Sequence, residues 1–347
     1  MVIYRHKDKH TISEMCRFFK VSRSGYYGYV SRMDIPAWDL PLAEKIRECQ
    51  DECGKTYSYL AGSGGTNAST HFIGSVAYSD NTTYSYSYDA LGNITEIKKN
   101  GTTIRSYIYD SLNRLQREND HESLTYYVYS YDNAGNLLSK VKKTWIGTPL
   151  STTTYGYSTS GWKDLLTNYN GTTITYDAIG NPLKWRNAAS MSWDKRALQS
   201  MALSDGTAVS FQYNADGIRT QKTVGSTTHS YVLGGTNIQS ETVTGASNYT
   251  LYYIYDVSGA VIGFLYNNLP YYFQKNLQGD VIRILDLTGN IVTEYKYDAW
   301  GNILTISGAE ADTIGRYNPF RYRGYYYDTE TGFYYLQSRY YDPEIVR

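Results

Sequence analysis

Along most of this chain tyrosine alternates with polar residues, as at Tyr84, Tyr86 and Tyr88, and each such stretch runs into an aspartate followed three residues later by glycine. A period of two places alternate side chains on opposite faces of a β-strand. The clearest copies are Tyr88-Asp89-Ala-Leu-Gly92-Asn93, Tyr109-Asp110-Ser-Leu-Asn113-Arg114, Tyr131-Asp132-Asn-Ala-Gly135-Asn136, Tyr176-Asp177-Ala-Ile-Gly180-Asn181, Tyr255-Asp256-Val-Ser-Gly259-Ala260 and Tyr297-Asp298-Ala-Trp-Gly301-Asn302. Looser copies occur at Asn214 to Gly217 and at Asp286 to Asn290. Aspartates 89, 110 and 132 stand 21 and 22 residues apart, which is room for one hairpin per unit. The repeat therefore predicts antiparallel hairpins in series.

The motif chemistry is that of a turn. The Asp carboxylate can accept backbone N–H groups across the turn, and glycine supplies a positive φ. In the second copy Asn113 takes the glycine position, and asparagine is the next most tolerant residue in the left-handed region. Ile94, Leu115, Leu137 and Ile303 then begin returning strands. An aspartate used once per turn rarely converges on a second carboxylate, so these residues read as structural rather than catalytic.

The last copy leads into Asn-Pro-Phe-Arg-Tyr-Arg-Gly-Tyr-Tyr-Tyr-Asp-Thr-Glu-Thr-Gly, followed by Ser-Arg-Tyr-Tyr-Asp-Pro, ending at Pro343. Two aromatic strands are expected around the turn Asp328 to Gly332. Strict alternation would put Arg321, Arg323, Tyr325 and Tyr327 on one face and Phe320, Tyr322, Gly324 and Tyr326 on the other. Neither face is plainly polar, so both should be covered, with guanidinium groups over tyrosine rings.

The beginning differs. Thr11 to Arg32 predicts two short helices with a turn, Ser22 capping the second, and Arg23 and Ser24 at its exposed start, where helix-turn-helix proteins contact DNA. Leu40 to Cys53 makes a third helix that Gly54 ends. A stretch from Ala61 to Thr70, rich in Gly, Ser, Thr and Asn, reads as a linker. The expected division is thus 1–57 helical, 58–83 junction, 84–310 repeats and 311–347 terminal block.

Composition sharpens this picture. Of 347 residues 40 are tyrosine, so phenol rings carry much of the burial and their hydroxyls must find water or backbone. The net charge is zero, which gives no general case for nucleic acid or acidic membranes. Cys16, Cys49 and Cys53 all precede the repeats, so no disulfide framework can hold them. The histidines share no ligand spacing with other donors, the glycines near residue 64 form no phosphate loop, and no nucleophile has an identifiable base; neither a metal nor a cofactor is expected. Leu251 to Leu269 is interrupted by Asp256, Ser258 and Asn267, so no membrane span is expected, and the start has no signal-peptide apolar region.

The block containing Arg321, Arg323, Gly324, Asp328, Gly332, Arg339, Asp342 and Pro343 resembles the RHS repeat-associated core of RHS (YD-repeat) proteins. With the upstream repeats the resemblance covers roughly residues 58–344. It implies a mainly β, antiparallel sheet curling into a partial shell, of the kind that encloses a C-terminal toxin in bacterial polymorphic toxins and wall-associated proteins, hence secreted or surface-exposed. In many such proteins an aspartyl self-cleavage segment follows Asp-Pro; here Glu344-Ile345-Val346-Arg347 departs from it, so neither self-cleavage nor cargo is expected. Separately, Ile12 to Tyr27 and Cys53 to Tyr57 resemble the N-terminal region of an insertion-sequence transposase of the retroviral-integrase type, which implies a gene fusion.

The leading expectation is a non-enzymatic shell fragment. Three rivals stand beside it: DNA binding through Arg23, cell-wall glycan binding through exposed tyrosines, and self-cleavage. Self-association is also expected, through an unpaired edge at the strand containing Tyr84.

Overall fold

A computed structural model describes residues 55–61 and 69–347. The expected helices over 1–53, with Arg23 and Ser24, lie outside the described residues. The chain divides into two units at Ser106/Tyr107.

From the start of the described residues to the boundary, Lys55–Ala61, Ser69–Tyr78, Thr83–Tyr88, Ile94–Lys99 and Thr102–Tyr109, the last straddling it, pair antiparallel in chain order. Three expectations change here. The stretch assigned to a junction contributes strands on both sides of residues 62–68, and pairing begins at Lys55, inside the segment read as helical. Val76 and Tyr78, two residues apart and both buried, supply the strand alternation that the small residues obscured. Gly74 serves packing rather than flexibility: a Cβ there would stand 2.8 Å from the Leu60 Cδ2. The strand containing Tyr84 is not an edge, because Ser69–Tyr78 covers its other side with Val76 opposite Tyr84.

The second unit continues the pattern. Six strands run from Leu115–Asp120 to Thr172–Thr173, each paired with the next. A 12-stranded sheet follows from Ala188–Asp194 to Ile303–Ser307, also in sequential order. The register slips by one residue beside many motif turns, as at Ser130/Tyr131 and Lys296/Tyr297. Such bulges bend and twist successive hairpins in one sense.

The terminal block contains one short helix, Ile314–Tyr317, and a three-stranded sheet of Tyr326–Asp328, Phe333–Tyr335 and Tyr340–Tyr341. It joins two apolar clusters. Phe333 and Ile345 pack with Tyr129, Leu166, Leu198 and Phe211, whereas Phe320, Tyr326 and Tyr335 pack with Leu251, Phe264 and Ile284. Among the described residues no helix is long and apolar enough to cross a membrane.

The expected continuous strand through residues 320–327 is not formed. Tyr322–Gly324 is a single 3-10 turn with φ of 55° at Arg323 and 70° at Gly324. Phe320 and Tyr326 bridge across it, and the Asp280 carboxylate accepts the Arg323 backbone N–H at 2.9 Å. A glycine tolerant of positive φ, beside a carboxylate that ties the turn, outweighs the alternating pattern.

Candidate functional site at the C-terminal block

Each repeat turn satisfies itself. In the first, Asp89 Oδ1 accepts the backbone N–H groups of Leu91 and Asn93, both at 2.9 Å, while Oδ2 accepts the Asn93 side-chain amide at 2.8 Å. Asp132, Asp177, Asp286 and Asp298 repeat this arrangement with Asn136, Asn181, Asn290 and Asn302. Asp110 uses the Arg114 guanidinium instead, at 2.7 Å. Asp256, followed by Ala260, takes the Ser258 hydroxyl. Between Asn276 and Asp280 the two residue types exchange places, and the amide of Asn276 donates to Asp280. Gly92, Gly135, Gly180, Gly259 and Gly301 have φ between 81° and 92°, and Asn113 has 65°. The Asn93 amide and the backbone N–H groups hold the Asp89 carboxyl below its usual range, and in the Asp286 turn the Thr288 hydroxyl leads a set that lowers it to about 2.

The tyrosine before the turn has its own task. At six positions its hydroxyl donates to a carbonyl 15 to 20 residues upstream: Tyr88 to Ile73, Tyr131 to Leu115, Tyr157 to Leu137, Tyr213 to Leu198, Tyr255 to Ile238 and Tyr297 to Val281. These bonds lie between 2.7 and 2.9 Å. Five of the acceptors, Leu115, Leu137, Leu198, Ile238 and Val281, lie at or next to the start of a strand. The motif thus links each turn to the hairpin before it, and burial pushes the Tyr131 hydroxyl up to about 12.

Against this repeating background the terminal block gathers charges from far along the chain. Asp328 is fully buried and receives both guanidinium nitrogens of Arg219, at 2.7 and 3.1 Å, and the Lys222 ammonium at 2.9 Å. Lys222 also reaches Glu330 at 2.8 Å. Burial alone would raise the Asp328 carboxyl; Arg219 and Lys222 more than offset it and hold it below the usual range. The Arg219 guanidinium faces the Tyr335 and Tyr326 rings at 4.2 and 4.9 Å, and its backbone N–H donates to the Tyr335 hydroxyl.

A second buried acid lies beside it: Glu241 accepts the hydroxyls of Tyr253 and Tyr326 and pairs with His229 Nδ1 at 2.6 Å. Asp342 accepts Trp185 Nε1 at 2.8 Å and Arg186 Nε at 2.7 Å. Its burial outweighs Arg186, so its carboxyl is raised.

The final motif turn is drawn into this assembly. Lys140 pairs with Asp298 in a buried salt bridge at 2.8 Å, and Glu118 accepts the Ala299 N–H. The hydroxyls of Tyr334 and Tyr341 donate to the carbonyls of Gly301 and Trp300, and Asn302 donates to the Pro343 carbonyl.

Most block residues singled out from sequence meet here. Arg321 donates to the carbonyls of Asn318 and Arg316 and lies over the Tyr327 ring at 4.7 Å, so its guanidinium is covered although its strand is absent. Gly332, with φ of 74°, closes the turn from Asp328. Arg339 stands apart on an exposed loop. Arg219, Lys222, Glu241, Trp185 and Arg186 were not anticipated. Their partners in the terminal block lie 85 to 157 residues away, and nothing local announces them.

Residues 239–347 match the Teneurin YD-shell family. The crystal structure of TcdB2-TccC3 without its hypervariable C-terminal region superposes with a TM-score of 0.68 at 20% identity, over 84% of this chain and 16% of that one. The fold is that of an RHS/YD-repeat shell. The tRNA3(Ser)-specific nuclease WapA of Bacillus spizizenii and the tRNA nuclease WapA of Bacillus subtilis (strain 168) are each 33% identical over 239 residues, 68% of this chain. This chain spans about 10% of the length of those two relatives. The shell reading thus rests on the repeats and the block together.

Proposed function

We propose that this YD-repeat region is a non-catalytic shell segment of a bacterial polymorphic toxin or wall-associated protein, with residues 311–347 locking the last hairpins together. The supporting observation is the use made of the carboxylates. Turn aspartates are occupied by their own loops, and Asp328 and Asp342 by cations and an indole from the repeats. Groups held this way are architectural, because a general acid or base must be free to reach a substrate proton. The WapA relatives are named as tRNA nucleases, and the region they share with this chain is a small part of their length. The nuclease chemistry is assigned to the parts not shared.

The test is incubation of the purified chain with bulk tRNA and, separately, alone. Intact tRNA and a single band at 39.5 kDa are expected. Cleaved tRNA, or a defined fragment abolished by replacing one aspartate, would contradict the proposal.

A further inference from the structure

Beside the terminal block, between the turn after Tyr255 and the loop Leu336 to Arg339, lies a cavity of about 600 Å³. Three cations, Lys275, Arg323 and Arg339, line it, and no Asp or Glu is among its lining residues. Five aromatic side chains, Tyr255, Phe320 and Tyr325 among them, contribute to the remaining wall. Pockets of this size, with ring walls and a few placed charges, suit small organic ligands.

The charges around it do not balance. Arg323 is offset by Asp280, which accepts its backbone N–H at 2.9 Å and lies 3.8 Å from its Nε. Lys275 donates to the Val261 carbonyl; burial holds its ammonium below the usual range, and nearby Asp256 offsets this only in part. The Arg339 guanidinium makes no hydrogen bond or ion pair with any described residue, although its backbone is fixed. Its carbonyl accepts the Leu336 N–H at 2.8 Å, and the neighbouring Gln337, with φ of 62°, donates its side-chain amide to the Thr236 carbonyl at 3.1 Å. The anchored loop fixes where the guanidinium can reach, so that gripping an anion orders the side chain but not the backbone.

One uncompensated cation matches one negative charge, and the planar fork of arginine matches a carboxylate. We infer that this cavity binds a small aromatic carboxylate, with Arg339 holding the carboxylate and Tyr255, Phe320 and Tyr325 enclosing the ring. The carboxylate could belong to a free aromatic acid or to the terminal residue of a peptide.

Calorimetric titration of the whole chain with N-acetylphenylalanine, and with its carboxamide, tests this. The acid should bind at least tenfold more tightly than the amide. Arg339→Ala should weaken the acid tenfold or more and leave the amide unchanged, and Arg339→Lys should recover part of the loss. An octapeptide ending in phenylalanine that binds as tightly as the small acid supports a chain terminus as the ligand; one that binds far more weakly supports a free acid. Equal binding of acid and amide, no binding of either, or no effect of Arg339→Ala would overturn the inference. Equally strong competition by inorganic phosphate would also overturn it, since the ring would then contribute nothing.

Discussion

Asp286 and Asp328 carry the same carboxylate in opposite settings. Asp286 lies in a turn closed by its own neighbours, Thr288 and Asn290, two and four residues on. Asp328 is buried under Arg219 and Lys222, 109 and 106 residues back along the chain. The first arrangement can be copied hairpin after hairpin, because each copy needs nothing outside itself. The second can occur once, since it requires strands from the middle of the sheet to be already in place. A repetitive sheet has no intrinsic last strand, and its termination rests on non-repeating, long-range contacts of this second kind.

The contrast can be broken most severely at the buried pair. Asp328→Ala leaves Arg219 buried without a counterion and Lys222 with Glu330 alone, and should destabilise the second unit by about 3–5 kcal/mol in denaturant unfolding. A change of less than about 1 kcal/mol would show the ion pairs to be incidental.

Two turn glycines, Gly301 under the block and Gly135 in an open turn, probe the same difference more finely. A Cβ on Gly301 would stand 2.5 Å from the Tyr322 ring, whereas one on Gly135 meets nothing within 4 Å. Gly301→Val should therefore cost about 2–4 kcal/mol, backbone strain and overpacking together, and Gly135→Val about 1 kcal/mol from backbone strain. Equal costs would mean that the block does not press on the last turn.

A smaller effect is expected at the tyrosine ladder. Tyr131→Phe removes a 2.7 Å bond to the Leu115 carbonyl and should cost about 1 kcal/mol in thermal unfolding. No loss at all would leave the motif tyrosine with a purely apolar role.

Carboxyl titration by NMR sharpens the comparison without a mutation. Asp286 should titrate near 2 and Asp342 above the usual aspartate range. The signs differ. The depressed Asp286 contributes stability that is complete above the unfolded value and is lost as pH falls towards 2, whereas the raised Asp342 favours the folded state progressively as pH falls through its own pKa. Identical midpoints would contradict the environments described.

What was legible in the sequence follows the same division. The turns were readable because Asp89, Gly92 and Asn93 act on one another within five residues, and Asn113 in place of glycine strengthened the backbone reading. The helix-turn-helix expectation around Arg23 falls on residues the structure does not describe. The strand through Tyr322 and Tyr325 was misread because alternation is also satisfied by two short strands around a turn, and the Asp280 carboxylate that fixes Arg323 is 43 residues away. The strands on either side of residues 62–68 were hidden by small residues whose packing role, as for Gly74 against Leu60, only the partner strand reveals. Arg219 reads as an ordinary polar residue after a turn, and only the assembled block turns it into a buried charge.

The most direct test of the central claim is a double-mutant cycle on Arg219 and Asp328, read by denaturant unfolding. If the block is locked to the repeats through this pair, Arg219→Met and Asp328→Leu should each be strongly destabilising, and the double variant should recover much of the loss, with a coupling of about 3 kcal/mol. Losses that simply add, with no coupling between the two sites, would contradict it.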